Sequence, residues 1–465
     1  MSISEATHSI HAQIATERVP LSFNQEFLVM FSSGEEEGPF GPQYNIVCGW
    51  RVAGRVDTAV LRDALGDLVV RHEALRTSIV NDPTGRYQQI FPPGSPELTV
   101  RDLRGVDEAD RDIAAGELVN EAEAGSYSIR DLPLLRAVYG RFDEQDGVLV
   151  LIAHHTAVDE WSMRLLMRDL AALYGIRRGH PVELPDARQY QEFARWQLAS
   201  AAEAPGVRGR EYWREKLRDA RITATTTDHL RSEHLPKTTS WHRFAIPAES
   251  TSAILKLSRE TRSSPFMILF SAYSVLLQRM TGSNDIVVPT FSSGRAQARF
   301  HNTVGSFFNF MPLRTDLEGC ETFRQVVERA RVTCMEAYSH DIPFAHVLQE
   351  APTLMSPLVE DDKAVCAFQV FRSPVPGDHE VVGDLEYSEI PRRLDQPVGG
   401  DVPDGALWQL EIDSSGEIVA TLGFNSNLFA ERTFIDMASE FRRILGEAVA
   451  TPDAPCSGSS HTKEI

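Results

Sequence analysis

The chain is short of positive charge: 46 Lys and Arg stand against 66 Asp and Glu, a formal net charge of −20 over 465 residues. A nucleic-acid partner is not expected on that balance, because phosphate binding is driven by Lys and Arg that displace counterions. No apolar run approaches the roughly 20 residues a membrane helix needs, and MSISEATHSIHAQIATERVP carries no basic stretch followed by an apolar one. The expectation is therefore a cytoplasmic protein with no membrane partner. Cysteine is sparse. Cys48, Cys320, Cys334, Cys366 and Cys456 are scattered and never form a C-x-x-C pair, which argues against a disulfide framework and a thiolate metal site. The H-E-x-x-H zinc motif, the G-x-S-x-G nucleophile elbow and a phosphate-cradling glycine loop are also missing. No metal ion is expected.

What is present fits a globular α/β chain, 42% hydrophobic and 24% charged. The length suggests two domains of roughly 200 residues each. PVELPDAR, with two prolines in eight residues, marks the boundary, giving a first lobe over 1–180, a second over 181–450 and a disordered tail over 451–465. Arg177, Arg178, Arg188 and Arg195 lie around that boundary. They read as a solvated linker and helix face, the other reading being a basic patch for an acidic partner.

Along the first lobe, YNIVCGWRV alternates as a strand and VDTAVLRDALGDLVVRH places Val60, Leu61, Leu65, Leu68 and Val69 on one helical stripe. EALRTSIV reads as a strand, and Glu108 to Ala124 as a charged helix. In the second lobe, QYQEFARWQ opens a helix, break, helix pattern, and two helices between Ser252 and Met280 flank TRSSP. DIVVPTF is a β-branched strand running into SSGR, VCAFQVF, LWQLEID and IVATLGFN are further strands, and Glu431 to Val449 is a closing helix.

The stretch that concentrates chemistry is HHTAVDEWS, His154 to Ser162. It follows GVLVLIA, a buried-strand pattern, and precedes a helix in which Met163, Leu166, Leu170 and Leu173 recur at helical spacing. A strand-to-helix turn is where open sheets place their chemistry. Adjacent strand residues point to opposite faces, so His154 and His155 do not serve one site together and one of them is structural. What the residues offer is one imidazole able to move or orient a proton near neutral pH, with a carboxylate a few residues on. That suits acyl transfer to an amine or hydroxyl. Equally, Asp159 can cap the following helix and a histidine can be a hydrogen-bonded core residue.

HHTAVDEWS resembles the motif of two histidines, three residues, an aspartate and a glycine of nonribosomal peptide synthetase condensation domains, within the chloramphenicol-acetyltransferase-like superfamily. Other motifs of that family have counterparts in order: VPLSFNQEF, RHEALRTS, YQEFARWQ, IVVPTFSSGR, VGSFFNFMPLR and HDIPFAHVLQE. The resemblance implies two acetyltransferase-like α/β lobes arranged in a V, with the active site at their junction and a tunnel through it. It implies that His155 acts as base or orienting group, while His154, Asp159 and Arg295 are structural, Asp159 pairing with Arg295. Glu160, Trp161, Ser162, Ser292, Gly294 and Asn309 are placed along the tunnel, although for Trp161 and Ser162 packing and a helix start are the favoured reading.

The family has glycine where this chain has Glu160, a change that adds bulk and charge beside the donor passage. Related noncatalytic domains carry an acid there but have lost the second histidine, which this chain keeps as His155. With no adenylation or carrier motif in the sequence, the resemblance implies a free-standing, monomeric enzyme. It would take an acyl group from the phosphopantetheine of a peptidyl carrier protein in trans and pass it to a small-molecule alcohol or amine, with no cofactor of its own. The alternatives are a noncatalytic docking module and a coenzyme A-dependent acyltransferase, although the D-F-G-W-G motif of the plant enzymes is absent.

Overall fold

The run Gly147–Ala153 is continuously apolar because the strand it forms, Asp146–His154, is covered on both faces. Leu149, Leu151 and Ala153 pack with Leu61, Leu65 and Leu166, whereas Val148, Val150 and Ile152 pack with Ala115, Leu118 and Val119. A strand buried on one face alone would alternate; one buried on both cannot. A computed structural model of the protein describes residues 18–32, 37–83, 85–201, 203–371, 379–392, 394–395, 397–412 and 417–455.

In chain order the elements are α1 (Phe23–Met30), β1 (Asn45–Ala53), α2 (Thr58–Arg71), β2 (Thr77–Asp82), β3 (Gly85–Ile90), β4 (Glu97–Asp102), α3 (Arg111–Glu123), β5 (Leu135–Arg141), β6 (Asp146–His154), α4 (Glu160–Arg177) and α5 (Tyr190–Ser200). There follow α6 (Ala204–Lys216), β7 (Ala224–Thr226), β8 (Thr239–Ile246), α7 (Ala248–Glu260), α8 (Pro265–Thr281), β9 (Asp285–Ser292), β10 (Asn309–Asp316), α9 (Phe323–Ser339) and α10 (Phe344–Glu350). The last are β11 (Lys363–Phe371), β12 (Glu380–Val382), β13 (Leu385–Glu389), β14 (Ala406–Ile412), β15 (Ile418–Asn425) and α11 (Glu431–Ala450). EALRTSIV is only half a strand: Glu73–Arg76 forms a 3₁₀ turn, in which the Thr77 hydroxyl donates to the Glu73 carbonyl, and β2 begins after it.

Two compact units result. The first comprises Met1–Ala202, Ser293–Phe308 and Ser373–Pro403; the second comprises Glu203–Ser292, Asn309–Arg372 and Asp404–Ile465. A single boundary at 181 is thus replaced by a chain that returns twice to its first unit. One reason is pairing: β13 adds to the edge of the first unit's sheet, with Trp50 to Ala53 of β1 opposite Glu386 to Glu389. That sheet runs β12-β13-β1-β6-β5-β4. All its neighbours are antiparallel except β4 and β5.

The second unit has a sheet in the order β7-β11-β14-β15-β8 and a separate β9-β10 ladder. Its core includes stacked aromatic pairs, Tyr273 on Phe368 at 4.6 Å and Phe424 on Phe434 at 4.3 Å. Helix α8 shows how local sequence sets an element. The Ser264 hydroxyl caps its start, Pro265 fits the first turn, where no amide partner is needed, and Gly282 ends it at φ +71°.

The expected tail over 451–465 is corrected in its first part. Arg324 pairs with Asp453 at 2.7 Å, its amide donates to the Pro452 carbonyl, and Thr322 bridges to Pro455. Residues 456–465, Cys456 among them, lie outside the described residues. The arginine cluster near 181 is largely neutralised at home: Arg177 binds Asp67, Arg178 binds Asp384, and Arg188 binds Glu192. Among the described residues no helix is long and apolar enough to cross a membrane.

Candidate active site

His154 ends β6 on the same face as Ile152 and is 3% exposed. Its two ring nitrogens contact the Gly41 carbonyl at 3.1 Å and the Thr156 hydroxyl at 2.9 Å. Burial pushes its pKa down to about 4. A neutral ring with both nitrogens engaged has no capacity left for a substrate.

His155 is different. Its backbone amide continues the β1-β6 ladder by donating to the Tyr44 carbonyl at 2.9 Å, and its ring is half-buried, stacked on Tyr44 and edge-on to Phe308. Nδ1 lies 2.8 Å from the Val158 carbonyl. A carbonyl only accepts, so Nδ1 carries the hydrogen and Nε2 keeps its lone pair. Nε2 has no hydrogen-bond partner among the described residues. Burial lowers the pKa, and the Val158 bond and the Asp159 charge oppose it. The ring is therefore a neutral acceptor in one tautomer.

Below it lies a closed polar platform. Asp159 is the N-cap of α4, its Oδ1 accepting from the Ser162 amide at 2.6 Å. Arg295 binds both Asp159 oxygens, at 2.9 and 3.0 Å through Nη2 and at 3.3 Å through Nε. Its remaining hydrogens go to the Phe300 and Thr303 carbonyls and the Ser162 hydroxyl. The guanidinium also lies 3.9 Å from the Phe307 ring centroid and 5.2 Å from that of Trp161.

The Ser162 hydroxyl donates to the Gly305 carbonyl and accepts from its amide. Ser162 has no exposed surface and its oxygen is fully engaged. Trp161 is half-buried against Arg295 and His301.

Glycine is required at two places. Gly294 has φ +63°, and a Cβ there would sit 3.2 Å from the Phe308 amide nitrogen, so the close approach that brings Phe308 beside His155 needs glycine. At Gly305 a Cβ would lie 2.0 Å from the Tyr190 ring. Glu160, the first residue of α4, turns its carboxylate to Cys48 of β1, the thiol lying 3.6 Å away. Burial first, and the Glu160 charge second, raise that thiol well above its ordinary value.

The remaining two expected residues belong to the second unit. Ser292 and Asn309 oppose each other in the β9-β10 ladder and share Asp341, at 3.2 and 2.6 Å. Sequence reading does not single out Tyr44, Val158, Phe308 or Asp341. The one available signal is position, Tyr44 lying next to the strand that pairs with β6.

Among the described residues no group of three or more His, Cys, Asp and Glu is arranged to hold a metal ion. The family model described as "Condensation domain" matches residues 15–464. The chain is 30% identical to a linear gramicidin synthase of Brevibacillus parabrevis over 94% of its own length, but spans 8% of that protein. It is 34% identical to the phosphinothricin tripeptide synthetase PhsC of Streptomyces viridochromogenes over 93% of its length, spanning 39% of it. Among solved structures, the SgcC5 protein of Streptomyces globisporus superposes with a TM-score of 0.90 at 50% identity, covering 94% of this chain and all of that one. That protein was crystallised with (R)-(-)-1-(2-naphthyl)-1,2-ethanediol and sucrose. The chain belongs to the condensation-domain family of nonribosomal peptide synthesis.

Proposed function

We propose that the protein transfers an acyl or aminoacyl group from the phosphopantetheine thioester of a carrier protein, met in trans, to a small-molecule alcohol or amine. The observation that carries this reading is the fixed tautomer of His155. With Nδ1 donating to Val158, Nε2 is a lone pair held in one direction. In the proposed step Nε2 takes the proton of the attacking O–H or N–H as the new bond to the thioester carbonyl carbon forms. Collapse of the tetrahedral intermediate breaks the C–S bond, and the proton returns to the leaving thiolate. The reagents are complete without a metal ion or redox cofactor. Positioning of the two substrates supplies most of the acceleration.

The diol bound by the 50%-identical SgcC5 protein supports an alcohol as the nucleophile and an ester as the product. Asp159, Arg295 and Ser162 act as the platform, with Glu160 and Trp161 toward the donor. We take the enzyme to act as a cytoplasmic monomer.

The test is reconstitution with acyl-loaded carrier protein and matched aryl diol and aryl amino-alcohol nucleophiles, read by mass spectrometry. Ester formation with the diol supports the reading. Failure of every carrier-bound donor to turn over, together with tight binding of a partner enzyme, would replace it with a docking role.

A further inference from the structure

We infer that Tyr44 is a positioning residue for His155, and that Gly400 and Asp401 brace it. The inference rests on the proposed role of His155 as proton acceptor, and begins with register. Asn45 is paired with His154 in the β1-β6 ladder, so Tyr44 and His155 are the next opposed pair beyond its end. Opposed residues of an antiparallel pair project to the same side. Their rings are accordingly stacked, with centroids 4.7 Å apart and planes 18° from parallel, and the His155 amide donates to the Tyr44 carbonyl at 2.9 Å.

The bond from Nδ1 to Val158 fixes one edge of the imidazole. By itself it leaves the ring free to tilt about that bond. The Tyr44 face removes this freedom on one side and Phe308, edge-on at 6.3 Å, limits it on another.

Tyr44 is seated in turn by a distant piece of chain. The Asp401 amide donates to the Gln43 carbonyl at 3.0 Å. Gly400 lies so close that a Cβ on it would stand 2.9 Å from the Asn45 carbonyl oxygen and 3.2 Å from that of Gln43. Backbone Gln43–Asn45 is thus clasped between β6 and residues 400–401. The charged and titratable groups around the pair are Asp159 and His154 beside His155, and Asp401 beside Tyr44. The phenol is held protonated by burial and by Asp401, so Tyr44 presents a neutral ring throughout the working range. Its hydroxyl makes no hydrogen bond among the described residues. The stacked ring is the acting part.

Two readouts test this in the full-length protein: kcat against pH with a carrier-bound donor, and NMR titration of the His155 imidazole. Tyr44→Phe, which keeps the ring, is expected to hold kcat within about twofold and to leave the titration unmoved. Tyr44→Leu is expected to lower kcat about ten- to a hundredfold, the scale of a misplaced reacting group. It also uncovers the ring, so the His155 titration rises toward the ordinary imidazole value and the acid limb of activity rises with it. Gly400→Ala, which leaves both rings in the protein, is expected to move both readouts the same way by less.

A folded Tyr44→Leu or Gly400→Ala protein with wild-type kcat and titration would overturn the inference. So would Tyr44→Phe losing as much as Tyr44→Leu, which would make the hydroxyl the acting group. If His155→Ala is fully active, the base reading fails; the NMR titration still decides whether Tyr44 seats the ring.

Discussion

Replacing Arg295 by Met removes the cation from a pair that is almost wholly out of water, the Arg295 side chain being 0% and the Asp159 side chain 12% exposed. What remains is an Asp159 carboxylate held only by the Ser162 amide, and a Thr303 carbonyl that loses its donor, whereas the Phe300 carbonyl keeps the Thr303 amide. Stranding one member of a buried ion pair costs about 3–5 kcal/mol. The unmet Thr303 carbonyl adds to this, while the methionine side chain recovers part of the contact with Phe307. A loss of about 3 kcal/mol is the expected net.

Adding Asp159→Asn should return part of that loss, since no lone charge is then buried. The double variant should be more stable than the sum of the singles by at least about 1 kcal/mol. Urea unfolding followed by tryptophan fluorescence measures all three. A loss under about 1 kcal/mol for Arg295→Met, or strictly additive singles, would refute the platform as drawn. Asp159→Asn alone should lower stability together with rate; lost activity at full stability would contradict a structural role.

Further outcomes follow from the same geometry. His154 titrates near 4 when folded because it is buried, against about 6.5 when unfolded, so its contribution is whole above about pH 6.5 and is lost as pH falls toward 4. The loss amounts to roughly 3 kcal/mol at the lower end. His154→Gln should be less stable at neutral pH and flatten the acid side of the stability curve; an unchanged slope would contradict the assignment. Glu160→Gly removes the carboxylate facing Cys48, so alkylation of that thiol should become faster and the KM for the carrier-bound donor should change. An unaltered donor KM and turnover would remove Glu160 from the donor passage.

The parts legible in the sequence are those set by local periodicity and capping. GVLVLIA reads as a buried strand without a structure, and Asp159 three residues before Ser162 reads as a helix cap. Each depends on neighbours in sequence. The pairing of Asp159 with Arg295 comes from the family resemblance, not from spacing, since the two are 136 residues apart.

What stays hidden depends on contacts no periodicity encodes. LEYSE is too short to stand out, yet β13 borders β1 and draws 373–403 into the first unit. Tyr44 gains its place only from register with His155. Thr451–Pro455 reads as a tail because it follows a final helix, and its order comes from Arg324 far upstream. The partners of the Ser162 hydroxyl, Gly305 and Arg295, lie more than 130 residues away, so no local pattern shows them.

The central claim is that His155 accepts the proton of the nucleophile through Nε2. The most direct measurement is single-turnover product formation from a saturating acyl-loaded carrier protein, comparing wild type with His155→Ala. A positioned general base contributes about 10²–10⁴-fold, so the variant should lose at least about a hundredfold while its unfolding midpoint stays near that of the wild type. A folded variant that forms product at the wild-type rate would contradict the claim.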